Sequence, residues 1–357
     1  MFRTACSGMV NFSLVLRQPF GLILRYSAQV SGRKQGLGLV ESLRLAAVAR
    51  RFYAQGASKL EIADEFGISR FKVARMLDTA RESGIVRVEF HLPAPVDLVL
   101  SEEIRAAYRL DRVLVLERAP EPQSREVARR KIGKLAAQLL TETVTPGDVL
   151  GLSWARSVNA MTEAIQSLPK CPVVQLCGVQ AGMDMRDRSV ETVSRVASVS
   201  GGQAYPIFGP LVLPDRRTTE TLRRQPGIAE TFGQFKNLTK AVVSIGAWKP
   251  EESTVYDALD ETERDAIAKR GAKAEVAARL FDADGTPMST GLAHHVLAIS
   301  AEELSAVPEV IALGYTEPKA EAIDAVLRSG MVSTLITDAA AAVPLLELAE
   351  ARPPDLT

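Results

Sequence analysis

Apolar side chains begin to recur at the three- and four-residue spacing of amphipathic helices at Leu43. The pattern predicts three short helices: one over residues 43–55, a second beginning after Ser58 and a third beginning after Ser69. Glu61 follows Ser58 at the spacing of a capping box. The alternating run Ile85–Phe90 then predicts the strand of a small wing. The helical positions expected to face inward are Leu45, Val48, Ala49, Phe52, Tyr53, Leu60, Ile62, Ala63, Phe66, Val73, Met76, Leu77 and Ala80.

Short β-rich runs alternate with helical patterns after Pro93 and Pro95, which mark a junction. The predicted strands span residues 112–116, 148–153, 173–176, 241–245, 309–313 and 332–337. The predicted helices span residues 124–141, 159–166, 187–199, 261–270, 319–329 and 338–348. This alternation predicts an α/β fold with a mostly parallel sheet covered by helices. We therefore expect an extension over residues 1–40, a helical domain over 41–92 and an α/β domain over 96–357.

The chain has 357 residues and no net charge, with 43 Lys and Arg residues against 43 Asp and Glu residues. Any contact with nucleic acid must therefore come from a local basic patch. The three cysteines lack metal-ligand spacing, so we expect no disulfide scaffold and a reducing, cytoplasmic location. No ligand residues accompany the pair His294–His295, so we expect neither a metal nor another cofactor.

The first forty residues are predicted to lack regular structure. No acidic residue precedes Glu41, whereas five basic residues do, a composition that resembles an organellar transit peptide. The alternatives are an unstructured extension or a start codon placed too far upstream, and we favour these. The apolar runs at 10–16 and 20–24 are shorter than the roughly 18 residues that span a bilayer, so no membrane partner is expected.

Residues 59–78 have the features of a helix-turn-helix. The first helix needs a small residue where the second crosses it, and Ala63 meets this need. The turn needs a residue that tolerates the left-handed conformation, and Gly67 is placed there. Val73 and Met76 provide the apolar face of the second helix. Because these requirements are met together, the motif predicts DNA binding.

The N-terminal part of the second helix is the part that would enter the major groove. The predicted DNA-binding residues are Lys59, Ser69, Arg70, Phe71, Lys72 and Arg75. Arginine can bond guanine through two hydrogen bonds, and lysine can reach bases or phosphates. Predicted phosphate contacts are Arg50, Arg51, Lys59, Arg81 and Arg87. The alternative is a basic helix face that contacts only solvent.

A strand, turn and helix pattern at residues 147–157 predicts a second site, for an anion. Backbone amides and the helix dipole favour a phosphate at the start of such a helix. Ser153 and Ser157 can donate hydroxyl hydrogen bonds, and Arg156 can donate charge-assisted ones. The alternative is an ordinary connection in which the serines cap the helix.

Residues 49–88 resemble the N-terminal domain of the SorC family of bacterial transcriptional regulators. The family typically has Ala-Arg-x-Tyr-Tyr, Ile-Ala-x-x-Leu-Gly-Ile-Ser-Arg and Ala-Arg-x-x-Gly-Ile-Val. The corresponding segments here are 49–53 (ARRFY), 62–70 (IADEFGISR) and 80–86 (ARESGIV), with Phe66 in place of leucine. The resemblance extends from about residue 46 to residue 348.

The larger domain resembles the family's effector domain, which binds sugar phosphates through Gly-x-Ser-Trp-Gly-x-Thr. Ala155 replaces the second glycine of that motif, and Tyr315 replaces a glycine of the family's Gly-Gly-x-x-Lys-x-x-Ala-Ile. The effector-binding residues that the resemblance and the turn chemistry imply are Gly151, Ser153, Trp154, Arg156, Ser157, Gln175, Glu275 and Lys319.

The resemblance implies a regulator that binds a double-stranded DNA operator as a homodimer or homotetramer. A phosphorylated sugar or sugar alcohol would control that binding. The family's effector domain also resembles sugar-phosphate isomerases, so an enzyme with Glu275 or Asp338 as general base is the alternative. A third possibility is an oligomeric scaffold without a small ligand. Because a DNA-binding domain precedes the effector domain, we expect a sensor and no enzyme.

Overall fold

The computed structural model describes residues 14–17, 23–26, 37–87, 94–119, 121, 123–180, 189–289 and 291–352. The chain divides into two compact units, residues 1–93 and residues 94–357. Near the start of the first unit, strands β1 (Leu14–Arg17) and β2 (Ile23–Tyr26) pair antiparallel. Both strands fall in the segment for which the sequence predicts no regular structure.

A three-helix bundle with its own core forms the rest of the described first unit. Its helices are α1 (Leu39–Ala49), α2 (Lys59–Phe66) and α3 (Arg70–Glu82). Helix α1 continues into a π-helical turn at Arg50–Ala54. The predicted capping box of Ser58 and Glu61 begins α2, and Gly67, with a left-handed φ of 61°, ends it. The core contains Leu45, Val48, Ala49, Ile62, Ala63, Val73, Leu77, Ala80 and Val86.

The predicted wing strand Ile85–Phe90 is wrong for residues 85–87, which form bends and irregular backbone. Gly84 takes a φ of 75°, and the amide of Val86 donates to the carbonyl of Ala80, 2.9 Å away. Val86 is buried in the helical core. Ile85 and Val86 therefore pack at the C-terminal end of α3 and do not form a strand. Residues 88–90 lie outside the described part of the chain.

The second unit is built on a parallel sheet, as the sequence predicts. Its described strands are β3 (Arg112–Leu116), β4 (Leu150–Leu152), β5 (Val173–Gln175), β6 (Ala204–Tyr205), β7 (Lys240–Ser244), β8 (Gly246–Ala247), β9 (Ala274–Val276), β10 (Arg279–Phe281), β11 (Glu309–Leu313) and β12 (Thr334–Asp338). Seven of them form a sheet in the order β3-β12-β11-β7-β4-β5-β6, and all its pairings are parallel. Strands β8, β9 and β10 form a separate antiparallel sheet.

Helices cover both faces of the parallel sheet. The described α-helices of the second unit are α4 (Leu98–Tyr108), α5 (Arg125–Thr143), α6 (Arg156–Ala164), α7 (Ser189–Ser200), α8 (Arg216–Arg223), α9 (Pro226–Gly233), α10 (Thr254–Ala258), α11 (Glu261–Lys269), α12 (Gly291–His294), α13 (Ala301–Ser305), α14 (Ala320–Arg328) and α15 (Ala339–Glu350). Val242 of β7 packs in a core with α5, α6 and α7, whereas its neighbours Ala241 and Val243 pack in a core with α4, α14 and α15. This alternation gives the buried, two-sided strands of an α/β fold.

Helices α5 and α6 cross closely at Gly133. A Cβ atom built on Gly133 would lie 2.6 Å from the backbone carbon of Ala160. Only glycine permits this approach, which brings the N-terminal turns of the two helices together at one edge of the sheet.

Candidate functional site

The carboxyl ends of the central strands β4, β7 and β11 open into one cleft. Its volume is about 780 Å³, including space open to solvent. In open α/β sheets, ligands bind at the carboxyl ends of the strands, between the two neighbouring strands where the strand order reverses. Strands β4 and β7 are such a pair. The lining includes the predicted residues Ser153, Trp154, Arg156, Ser157, Glu275 and Lys319. Sequence patterns in three separated segments therefore converge on one place.

The turn between β4 and α6 forms one wall of the cleft. Ser153 is 3% exposed, and its Oγ atom has no hydrogen-bond partner in the described structure. Ser157 is also buried, but its Oγ lies 3.0 Å from Oγ of Ser244. Ala155 precedes α6 in an extended conformation and provides no side-chain cap. A buried hydroxyl without a partner therefore lies beside a helix N-terminus without a cap, and both favour an anionic ligand.

Lys319 reaches the cleft from the segment after β11. Its Nζ donates to the carbonyl of Ile245 at 2.9 Å and lies 5.5 Å from the ring centroid of Tyr315. Burial lowers the pKa of Lys319 to about 8, although the carboxylates of Glu252 and Glu275 act in the opposite direction. An anionic ligand would favour the charged amine.

Glu275, on β9, is the buried carboxyl of the cleft. The amide of Ala278 donates to one of its oxygens at 2.5 Å, and Oγ of Ser253 donates to the other at 3.3 Å. Burial raises the pKa of Glu275 despite these hydrogen bonds and the charge of Lys319. A Cβ on Gly246 would lie 2.8 Å from a carboxyl oxygen of Glu275, so glycine leaves room for that side chain beside β8.

Backbone strain concentrates around the cleft. Five described residues other than glycine have positive φ, and four of them line it: Glu251, Ala277, Ala278 and Thr316. The two alanines form the two-residue turn between β9 and β10, at positions where glycine or asparagine is usual. Residues held in sparsely populated conformations cluster at ligand sites, so this pattern supports the same location.

Gly151 and Gln175 do not line the cleft. A Cβ on Gly151 would lie 2.8 Å from a methyl carbon of Leu176, so close packing inside the sheet explains this glycine. Gln175 is 1% exposed and bonds two backbone groups, donating to the carbonyl of Cys177 and accepting from the amide of Ile207. In this structure both residues support the strands from within the core.

Sequence reasoning missed two arginines of the cleft, Arg125 and Arg129 of α5. An Nη atom of Arg125 lies 2.8 Å from Oε1 of the buried Glu252, and Nε of Arg129 donates to the hydroxyl of Tyr315 at 3.3 Å. Both arginines belong to the first two turns of α5. Basic residues at the N-terminal end of a helix interact unfavourably with the helix dipole. Their position at the start of α5 was the signal in the sequence that could have identified them.

The predicted DNA-binding residues share the surface of the first unit. Side chains of Lys59, Ser69, Arg70, Phe71, Lys72 and Arg75 are all exposed. Oγ of Ser69 accepts from the amide of Lys72 at 3.2 Å and so caps α3. The Arg70 guanidinium lies 4.9 Å from the ring centroid of Phe71, which is 67% exposed. The N-terminal end of α3 thus presents a cation and an uncovered aromatic ring to solvent.

Two of the predicted phosphate contacts have acidic partners. Arg51 forms an ion pair with Glu65 at 2.7 Å, and Arg81 pairs with Asp78. Arg70 and Arg75 form no ion pair within the described residues. Arg70 and Arg75 are therefore available to a polyanion, as are the exposed Arg50, Lys59 and Arg87.

The described residues contain neither a helix long and apolar enough to cross a membrane nor a cluster of three metal-ligating side chains.

The second unit matches the sugar-binding family model described as "Putative sugar-binding domain" over residues 95–347. Transcriptional regulator LsrR of Klebsiella pneumoniae is 26% identical over 89% of this chain and 97% of its own length. The uncharacterized transcriptional regulator YjhU of Escherichia coli is 26% identical over 83% of this chain and 92% of its own length. The full-length sorbitol operon regulator SorC from Klebsiella pneumoniae has a similar fold, with a TM-score of 0.65 at 21% identity, covering 86% of this chain and 99% of that one.

Proposed function

We propose that this chain, which belongs to the SorC family of bacterial transcriptional regulators, binds an operator through its helix-turn-helix and senses a phosphorylated sugar or sugar alcohol in the cleft of its second unit. The coupling would operate by differential affinity, because a ligand shifts an equilibrium only when it binds one state more tightly. Such a regulator acts in the cytoplasm, where bacterial DNA is found.

The observation that carries the proposal is the unpartnered Oγ of Ser153 inside the cleft. Buried hydroxyls are normally hydrogen-bonded, so an orphan beside an uncapped helix start is suited to a ligand oxygen. Ser157, Arg156 and Lys319 line the same cleft and add a hydroxyl and two cations. A phosphomonoester carries about −1.5 to −2 charges near neutral pH, which this group of donors complements.

Glu275 is placed to recognise the sugar hydroxyls. Its carboxyl lines the cleft from the antiparallel sheet, on a different element from the phosphate-binding turn. Carboxyl oxygens accept hydrogen bonds from hydroxyl groups, which suits a sugar at this position.

We propose a sensor without enzymatic activity. Asp338, the other candidate base, accepts from the amides of Ala341 and Thr316 at 3.0 Å each and so caps α15. It is absent from the cleft lining, so of the two candidate bases Glu275 alone lies in the cleft. A purified sensor returns its sugar phosphate unchanged after long incubation, and conversion of the sugar would refute this part of the proposal.

The DNA-binding surface is proposed to be the N-terminal half of α3. Arg70, Lys72 and Arg75 are exposed there, and residues at this end of the second helix reach base edges in the major groove. One such helix covers a short half-site, so a homodimer or homotetramer is expected on the operator. Light scattering that detected only monomers, both free and on DNA, would contradict the assembly.

Calorimetry tests the effector site. Wild type and the Ser153→Ala, Arg156→Ala variant would be titrated with a panel of sugar phosphates, polyol phosphates and their unphosphorylated parents. The wild type is expected to bind a phosphorylated compound and the variant to lose that binding while keeping its DNA affinity. Undiminished binding by the variant would place the site elsewhere, and preference for an unphosphorylated parent would refute the phosphate assignment.

A further inference from the structure

Three arginines reach the cleft from the layer formed by α5 and α6. Arg125 and Arg129 are four residues apart, so they share one face of α5. The next residue at that spacing is Gly133, where the helix meets the backbone of Ala160. Arg156 lies one turn before Ala160 on α6. The close crossing therefore places all three side chains along the same wall of the cleft.

Few of the N–H donors of these guanidinium groups bond to described residues. Each has five N–H donors, and Arg129 uses one on the hydroxyl of Tyr315. Arg156 makes one long contact, 3.5 Å, to the backbone carbonyl of Glu251. Neither arginine forms an ion pair with a described residue, whereas Arg125 pairs with Glu252. Arg129 and Arg156 thus line the cleft without a carboxylate partner among the described residues.

Tyr315 fixes the position of Arg129. The tyrosine is 8% exposed and packs in the core beneath α5 and α6, with its hydroxyl directed to Nε of the arginine. It stands where the family pattern has a glycine, so this tether belongs to the present chain. A buried aromatic side chain that holds a half-buried arginine in place indicates a recognition role for that arginine.

The helix dipole does not explain the basic residues at the start of α5, although Arg125 also pairs with the buried Glu252. Arg125 is the first residue of the helix and Arg129 begins its second turn, where the helix dipole favours negative charge. Ser124 already caps the helix by accepting from the amide of Val127 at 3.3 Å. An anionic ligand group near this end would satisfy both the dipole and the guanidinium donors. The orphan Oγ of Ser153 on the neighbouring turn independently marks the cleft as a ligand site.

We propose that the effector has a second acidic group, a carboxylate or a second phosphate, bound by Arg125 and Arg129 while its first phosphate occupies the turn of Ser153 and Ser157. This inference rests on the proposed sugar-phosphate sensor and narrows its ligand to phosphorylated sugar acids or sugar bisphosphates. Planar guanidinium groups bind both anions through paired hydrogen bonds, so the two sources share one recognition chemistry.

Three open-chain ligands that differ only at carbon 1 test the inference: sorbitol 6-phosphate, 6-phosphogluconate and sorbitol 1,6-bisphosphate. In calorimetric titrations of the full chain, at least one of the two diacids is expected to bind at least tenfold more tightly than sorbitol 6-phosphate. The Arg125→Gln, Arg129→Gln variant should lose that gain and bind sorbitol 6-phosphate within twofold of wild type. Arg130→Gln is the matched control, because Arg130 lies on the same helix, pairs with Glu126 at 4.0 Å and is absent from the cleft lining.

The outcomes separate this inference from the proposed function. If sorbitol 6-phosphate binds and neither diacid binds more tightly, the second anion site alone is overturned. The same holds if the double variant loses affinity for all three ligands to the same extent. Failure of the whole panel, sugar monophosphates included, would overturn the sensor and this inference with it. If the double variant melts early, Tyr315→Phe replaces it, since it removes only the tethering hydroxyl and should reduce the diacid gain selectively. An unchanged gain in that variant would also overturn the inference.

Discussion

Replacing Ser153 with alanine should stabilise the free protein and weaken its ligand binding. Oγ of Ser153 is buried without a hydrogen-bond partner in the described structure, and such a group costs about 1–3 kcal/mol. Alanine removes the hydroxyl and keeps the rest of the side chain. We therefore expect the free energy of unfolding to rise by about 1–2 kcal/mol. For a unit of this size, each kcal/mol shifts the melting temperature by about 2–4 °C.

Ser157→Ala provides the matched control. Ser157 is equally buried, but its Oγ is hydrogen-bonded to Oγ of Ser244 at 3.0 Å. Removing it loses that bond and leaves a hydroxyl unpaired, so the variant should be less stable by about 1–2 kcal/mol. Replacing serine with alanine at positions 153 and 157, on the same wall of the cleft, is thus expected to change the free energy of unfolding in opposite directions.

Thermal unfolding with and without ligand measures both effects. At a ligand concentration of 100 times Kd, the wild type should gain about 2.7 kcal/mol, and Ser153→Ala should gain clearly less at that same concentration. A Ser153→Ala protein that is less stable than wild type without ligand would refute the argument, because the hydroxyl would then have a partner within the protein.

Three further predictions follow from the described contacts. Arg70→Ala or Arg75→Ala should weaken specific DNA binding by about 1–3 kcal/mol, measured by fluorescence anisotropy, and a double variant with full affinity would exclude α3 as the recognition helix. Ligand affinity should fall by up to tenfold per pH unit above about pH 8, because Lys319 loses its proton there in the free protein. The Lys319→Arg variant should not show this decrease, because arginine keeps its charge. Calorimetry across pH 6.5–9.5 checks this, and a flat profile for wild type would contradict a phosphate at Lys319. Gly133→Val should destabilise the second unit by about 1–3 kcal/mol in urea unfolding, because its Cβ would meet the backbone of Ala160, and an unchanged midpoint would contradict the close helix crossing.

The sequence predicted those elements whose pattern of apolar residues is unambiguous. Strands β3 and β11 match the predicted residues 112–116 and 309–313, because buried parallel strands are continuous apolar runs bounded by polar turns. The hairpin of β9 and β10 was missed because its turn is Ala277-Ala278, which lacks the usual Asn-Gly signal. Residues 85–87 of the predicted strand were misassigned because alternation over six residues cannot distinguish a strand from residues that close a helix end.

The candidate site was predictable where local chemistry identifies it. Ser153 and Arg156 follow a strand and open a helix, a pattern visible in the chain itself. Arg129 could not be assigned, because its place in the cleft depends on the approach of α5 to α6 and on a bond to Tyr315, 186 residues away. Gln175 was assigned to the ligand, but its amide group bonds the backbone on both sides in the structure, a partnership that no sequence spacing reveals.

Coupling between the effector cleft and the DNA-binding surface is the central claim, and one comparison tests it most directly. The protein would first select an operator duplex from a random-sequence pool, and its affinity for that duplex would then be measured without ligand and at saturation with the best-binding sugar phosphate. We predict a change of at least fivefold, about 1 kcal/mol, for wild type and none for the Ser153→Ala, Arg156→Ala variant. An operator affinity that stays the same in wild type, while calorimetry confirms that the cleft is saturated, would contradict the account.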